Sequence, residues 1–232
     1  MTFEAMRGGL VVSVQAPPGS PLASPETMSA FARAAELGGA AGIRAEGPAD
    51  VRAIKRAVAV PVIGLLKRDV PGSPVRITPR LSDARVVADA GADVVAVDAT
   101  LRPRANGMTT GDFLAALVAE LEAPVLADVD SLEAAVAARA AGADAVATTL
   151  SGYTGDGPTP ERPDLDLVGR LVQELDCPVL AEGRYATPDD VHAALEAGAF
   201  AVVVGTAITD PVTLTRRFAA GAARRRSHDA QR

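Results

Sequence analysis

The chain has 232 residues, 23 of them Lys or Arg against 29 Asp or Glu, for a net charge of −6. That balance excludes a polybasic nucleic-acid face or membrane anchor, and no apolar run reaches the length of a membrane span. A single cysteine, Cys177, excludes an internal disulfide framework and fits a reducing, cytoplasmic setting, and residues 1–10 hold no apolar run of signal-peptide length.

The apolar content is mostly Ala, Val and Leu, with 3% aromatic residues, which suits tightly packed layers of helix on sheet. Leu10-Val11-Val12-Ser13-Val14 reads as a first buried strand. Two phrases then alternate along the chain. A Gly-small pair closes an Ala-rich helical stretch and leads into an apolar run at Gly38 to Ile43, Gly91 to Val97, Gly142 to Ala147 and Gly198 to Val204. Between them, Pro-Val opens an apolar run at Pro61 to Leu66, Pro124 to Ala127 and Pro178 to Ala181, where proline suits a strand's first residue. Ser131 and Thr187-Pro188 supply helix start signals. Eight strand–helix units in this length predict one (β/α)8 TIM barrel over residues 1–232. A doubly wound sheet would want a Gly-rich loop after its first strand, and Gln15-Ala16-Pro17-Pro18-Gly19 is not one.

In such a barrel the chemistry sits where the strands end. The polar residues there are Gln15, Arg44, Lys67, Asp98, Asp128, Thr148-Thr149, Glu182 and Gly205. Side chains alternate faces along a strand. Asp128 and Glu182 each lie four residues past their strand's proline and Lys67 lies six past Pro61, so all three point into the barrel mouth, Lys67 one pleat higher. A lysine above carboxylates can act on a bound substrate; a buried structural ion pair is the competing reading. The loops after strands 7 and 8, Glu182-Gly183-Arg184 and Gly205-Thr206-Ala207, suit an anion, with backbone N–H groups bared by glycine and a guanidinium beside them. Neither His192 nor His228 has a second histidine at ligand spacing, so no metal is expected, and no cofactor motif is present. Cys177 falls at the bottom of a strand, opposite the chemistry, and Arg224-Arg225-Arg226 reads as the end of a last helix.

Seven stretches, in order and over nearly the whole chain, resemble the N-acetylmannosamine-6-phosphate 2-epimerase family: Gly9 to Ala16, Gly42 to Ala45, Pro61 to Asp69, Ile77-Thr78-Pro79, Val97 to Thr100, Thr148 to Thr154 and Ala181 to Arg184. The resemblance implies a cofactor-free epimerase of bacterial sialic-acid and amino-sugar catabolism, usually a homodimer, acting on a phosphorylated amino sugar. It places catalysis on Lys67 and Glu182 and substrate contacts on Gln15, Arg44 and Asp128. Tyr153, Gly183, Arg184, Gly205 and Thr206 complete the expected contacts. One position departs: the family's last motif typically reads Ala-Ile-Thr-Arg-Pro, with its Arg near the substrate, and here Asp210 stands there.

The implied reaction removes the proton at C2 of the open-chain sugar and returns it on the other face. Lys67 is the expected base, with burial and the cations Arg44 and Arg68 lowering its pKa. Glu182 is expected to shuttle protons or assist ring opening. Two other readings stand beside this one: an aldolase or decarboxylase acting on a sugar phosphate, and a non-catalytic sugar-phosphate sensor.

Overall fold

The computed structural model describes residues 2–17 and 19–229, with side chains described as far as residue 222. Eight parallel strands close into a barrel in chain order: β1 (Leu10–Val14), β2 (Gly42–Glu46), β3 (Val62–Leu65), β4 (Val94–Asp98), β5 (Val125–Asp128), β6 (Ala145–Ala147), β7 (Val179–Glu182) and β8 (Ala201–Val204). Each predicted apolar run overlaps its strand, and β2, β4, β5 and β7 continue past it to the acidic residues Glu46, Asp98, Asp128 and Glu182. The helices are α1 (Pro25–Leu37), α2 (Pro48–Lys55), α3 (Leu81–Asp89), α4 (Thr110–Glu120), α5 (Leu132–Ala140), α6 (Leu165–Glu174), α7 (Pro188–Glu196), α8 (Thr206–Thr209) and α9 (Pro211–Asp229). The (β/α)8 expectation holds strand for strand.

Local chemistry sets the helix ends. Ser131 accepts a hydrogen bond from Ala134 N–H, and Thr187 forms a reciprocal capping box with Asp190 ahead of Pro188 at the first helical turn. The glycines that end four Ala-rich helices, Gly39, Gly91, Gly142 and Gly198, have φ between 94° and 99°, a backbone that other residues rarely adopt.

Strand parity divides the core in two. One set, with Val11, Ile63, Leu65, Val94, Leu126, Leu180 and Val203, fills the barrel interior. Below it the buried Met6, from a 3-10 helix (Phe3–Met6), closes the bottom; Gly42 makes room, since a Cβ there would come 2.8 Å from Met6 Sδ. The other set, with Val12, Ile43, Val95, Val97, Ala127 and Val146, packs outward against helix residues such as Met28, Phe113, Leu114 and Leu117. Further up the same inward rows the side chains turn polar: Arg44, Asp98, Asp128 and Glu182. The interior is thus dry below and charged above, and the charge lies at the carboxyl ends of the strands.

The last helix buries little of its side-chain surface among the described residues. α8 is four residues long, and α9 follows it with all its side chains from Pro211 to Ala222 exposed except the half-buried Thr213 and Leu214. Phe218, 80% exposed, stands clear of the barrel. The helical backbone runs through the basic run 224–226 and His228, whose side chains lie outside the described residues. Among the described residues no helix is long and apolar enough to cross a membrane.

Gly64 marks the tightest helix–sheet contact near the site. It faces outward from β3, and an added Cβ would lie 2.6 Å from Val87 Cγ1, 2.7 Å from Ala92 Cβ and 3.3 Å from Val51 Cγ2. Gly64→Val therefore overpacks the seam between β3, α2 and α3, and chemical denaturation should show a loss of about 1–3 kcal/mol.

Candidate active site

The mouth is organised by one buried cation. Arg44, from β2, is 1% exposed, and it reaches carboxylates on two other strands. Its Nη2 lies 2.5 Å from Asp128 Oδ2 and its Nη1 3.0 Å from Asp128 Oδ1, a two-pronged pair with a fully buried partner on β5. The same Nη1 lies 2.9 Å from Glu182 Oε2 at the end of β7. Arg44 Nε is buried without a hydrogen-bond partner.

Two threonines after β6 finish the arrangement. Thr148 Oγ1 donates to the Glu182 carbonyl at 2.9 Å and accepts from the Glu182 N–H at 3.0 Å, so it fixes the backbone from which Glu182 projects. Thr149 Oγ1 lies 2.6 Å from Asp128 Oδ1 and 3.2 Å from Glu182 Oε2.

One guanidinium cannot neutralise two carboxylates. Burial pushes the Glu182 carboxyl up to about 7, helped by the neighbouring Asp128 charge and opposed by Arg44, Thr149 and Lys67. For Arg44, burial works against the cation but is outweighed by Asp128 and Glu182, and its pKa ends above the usual value.

Lys67 stands across the barrel, just past β3. Its Nζ donates to Gln15 Oε1 at 2.6 Å, and Gln15 Nε2 donates to Ser13 Oγ at 2.9 Å. The residue is exposed at the mouth. Even so, the protein around its ammonium lowers the pKa, first by desolvation and then by the charge of Arg44, with Glu46 and Glu182 opposing. The segment is held on both sides: Lys67 N–H donates to Glu46 Oε1 at 3.2 Å, and Leu66 N–H donates to Thr78 Oγ1 at 3.1 Å. Thr78 itself has φ 45°, and its hydroxyl donates to the Ala96 carbonyl at 2.6 Å.

A second patch lies beside Glu182. Gly183 has φ 112° and Arg184 φ 65°, so both residues of this turn have positive φ. Among the described residues, the N–H groups of Gly183, Arg184, Gly205 and Thr206 donate no hydrogen bond. The Arg184 guanidinium donates to the carbonyls of Arg162 at 2.6 Å and Ser151 at 2.5 Å, and lies over the Tyr153 ring at 5.2 Å from its centroid. That places Tyr153, Gly183 and Arg184 together, next to the turn at Gly205 and Thr206.

This geometry coincides with relatedness. Residues 28–224 match the family described as "Putative N-acetylmannosamine-6-phosphate epimerase". The chain belongs to that epimerase family. A relative from Cutibacterium acnes, named "Putative N-acetylmannosamine-6-phosphate 2-epimerase", is 49% identical over 92% of this chain and 93% of its own. One of the same name from Thermosynechococcus vestitus is 51% identical over 88% and 89%. The solved structure of the N-acetylmannosamine-6-phosphate 2-epimerase from Clostridium perfringens superposes with a TM-score of 0.90, at 38% identity and covering 95% of this chain and 96% of the other.

Within the family frame, Arg44, Asp128 and Glu182 form one contact network, and Lys67 and Gln15 a second one facing it. Asp98, also at a strand end, is occupied otherwise: its Oδ1 accepts from Thr100 N–H and Oγ1, and its Oδ2 pairs with Arg102 at 2.6 Å. Glu46 escaped the sequence reading, although it lies two residues past the inward Arg44 and so shares its face. His192 is exposed on α7, and Cys177 lies below β7.

Asp210 is the N-terminal cap of α9. Its Oδ1 accepts from Thr213 N–H at 2.9 Å and its Oδ2 from Thr213 Oγ1 at 2.6 Å. These bonds hold its carboxyl below the ordinary value, with a minor contribution from Arg216. The acid is therefore spent on its own helix. Asp210→Arg should cost about 0.5–2 kcal/mol through the lost cap, read by denaturation.

The shift at Glu182 also has a stability signature. A carboxyl whose folded pKa lies above its unfolded value stabilises the fold fully below the unfolded value, 4.5, and loses that contribution as pH rises through about 7. Glu182→Gln keeps the neutral form at every pH. Its denaturation free energy should gain on the parent between pH 5 and 8, by on the order of 2 kcal/mol. A constant difference across that range would contradict the shift.

Proposed function

We propose that the chain interconverts N-acetylmannosamine 6-phosphate and N-acetylglucosamine 6-phosphate by removing and returning the proton at C2. The observation that carries this reading is the placement of two proton-transfer groups half a barrel apart, Lys67 after β3 and Glu182 on β7, both with pKa values moved towards neutrality. Inversion at C2 needs a proton taken from one face and delivered to the other. An amine that sheds its proton easily on one wall and a carboxyl that keeps its proton on the facing wall meet that need. With C1 open as a carbonyl, the C2 proton is acidic, and the developing enediolate requires positive charge nearby. Arg44 and the Lys67 ammonium, once it has accepted the proton, supply that charge. Gln15 steadies the Lys67 amine.

The 6-phosphate is assigned to the turns after β7 and β8. The free N–H groups of Gly183, Arg184, Gly205 and Thr206 support this, and the Arg184 guanidinium adds a cation at the same place. Tyr153 forms the wall beside them. Asp128 and Arg44 lie deeper and face the sugar.

The exposed face of α9 supports a homodimer. A helix that carries Phe218 and Val212 into solvent leaves apolar surface that a second copy would cover. The charge balance and the lone cysteine favour a cytoplasmic setting.

The deciding experiment is NMR of N-acetylmannosamine 6-phosphate with the protein in D2O, without added nucleotide or metal. Deuterium should enter C2 as the glucosamine epimer appears; an epimer that keeps its original C2 proton would overturn the mechanism. Lys67→Ala and Glu182→Ala should each lower kcat at least about a hundredfold with folding intact, the scale of general acid–base catalysis. Near-normal turnover in either variant would remove that residue from the reaction.

A further inference from the structure

Arg102 is a cation at the mouth that belongs neither to the Arg44 cluster nor to the Lys67–Gln15 pair. It follows β4, whose inward row runs through Val94 and Ala96 to Asp98. Asp98 is 1% exposed and is the register partner of the inward Asp128 on β5. Its Oδ2 accepts from Arg102 Nη2 at 2.6 Å, and Arg102 Nε donates to Thr100 Oγ1 at 2.9 Å. Thr100 is fully buried, and its hydroxyl donates to Asp98 Oδ1 at 2.7 Å. Two buried groups thus fix the guanidinium over the inner end of β4. Its side chain keeps 24% exposure, and Nη1 has no hydrogen-bond partner among the described residues.

Positive charge is in excess at this wall. Arg104, 6% exposed, donates to the backbone carbonyls of Asp98 and Pro79 and forms no salt bridge among the described residues. Asp98 is the carboxylate that both guanidiniums share. Such a wall attracts a neutral oxygen acceptor and repels an ammonium.

We propose that Arg102 reads the acyl group of the substrate: its open Nη1 donates to the acetamido carbonyl oxygen, and the same charge turns away the free amine of a deacylated sugar phosphate. The inference rests on the function proposed above and names the residue that sets its substrate class. With the phosphate at the turns after β7 and β8, the sugar chain runs across the barrel, and β4 is the strand opposite β8. The acetamido group branches from C2, which lies beside Lys67, and β4 pairs with the strand that Lys67 follows. Arg102 therefore stands on the wall where the acyl group arrives.

The test uses two open-chain probes that cannot epimerise because C1 is an alcohol: N-acetylglucosaminitol 6-phosphate and glucosaminitol 6-phosphate. In calorimetric titration the native protein should bind the acetylated probe at least about tenfold more tightly, the scale of one hydrogen bond to a charged group. Arg102→Met removes the charge and the donors. Affinity for the acetylated probe should fall about tenfold or more, while that for the amine holds or rises, so the preference collapses. Equal losses for both probes, or no loss, overturn the proposal. So does a fall in kcat with acetylated-probe affinity unchanged, which would put Arg102 at the reacting atoms instead. Should Arg102→Met fail to fold, Arg102→Lys decides: it keeps the charge and loses the fork, so the amine stays rejected and acetylated-probe affinity falls. A native protein with no preference between the probes rejects the contact outright. Deuterium exchange at C2 without an acyl preference would sink this inference and leave the epimerase reading intact; an acyl preference without exchange would do the reverse.

Discussion

The mouth of this barrel depends on a guanidinium that water barely reaches. Arg44 sits on the inward row of β2, where a leucine or valine would complete the apolar interior. Taking its charge out of water is costly unless carboxylates compensate it, and they must come from strands on the other side of the barrel. That requirement brings Asp128 and Glu182 together. Burial of Glu182, with the Asp128 charge beside it, then raises its pKa to about 7 against the pull of Arg44. Burial together with the Arg44 charge depresses Lys67.

The same arrangement separates stability from chemistry along the barrel axis. Below Arg44 the inward positions are Val, Ile, Leu and Ala, sealed by Met6. Loss of packing there would be felt as loss of folding. Above it, polar neighbours hold the groups in place: Ser13 holds the Gln15 side chain, Thr148 the Glu182 backbone, and Glu46 and Thr78 the Lys67 segment. A proton-transfer site has to hold its groups to within a fraction of an ångström, and hydrogen bonds to rigid strand backbone are the means the fold offers.

Much of this could be read from the chain, because the period of a strand is short and strict. Counting even offsets from Pro61, Pro124 and Pro178 was enough to face Lys67, Asp128 and Glu182 into one cavity, and the eight apolar runs gave the barrel. Parity assigns a face but no partner. It could not say that Arg44 spans to β5 and β7, since that reach depends on side-chain length and barrel diameter. It placed Thr149 at a strand end but gave it no role, because a hydroxyl acquires meaning only from the oxygens around it. Glu46 was in view by the same count and passed over because nothing local distinguishes it from a solvated surface acid. The resting place of α9 was out of reach, since amphipathic pattern says that a face wants covering and not by what.

Asp210, which stands where the family's last motif typically has Arg, is held in place by its own helix. An acid near an anionic ligand would repel it, by an amount on the order of kcal/mol at short range even where screening is substantial. Here the carboxylate lies at the first turn of α9, and both of its oxygens are taken by Thr213. A carboxylate so bound is oriented by the helix, and its charge is partly offset by the N–H groups at that helix end. On the neighbouring turn, among the described residues, the N–H groups of Gly205 and Thr206 donate no hydrogen bond, which leaves them open to the phosphate in the proposed assignment. Backbone donors cannot be mutated away. A phosphate held as proposed, by backbone donors with Arg184 alongside, would tolerate an aspartate at 210 that is bound to its own helix.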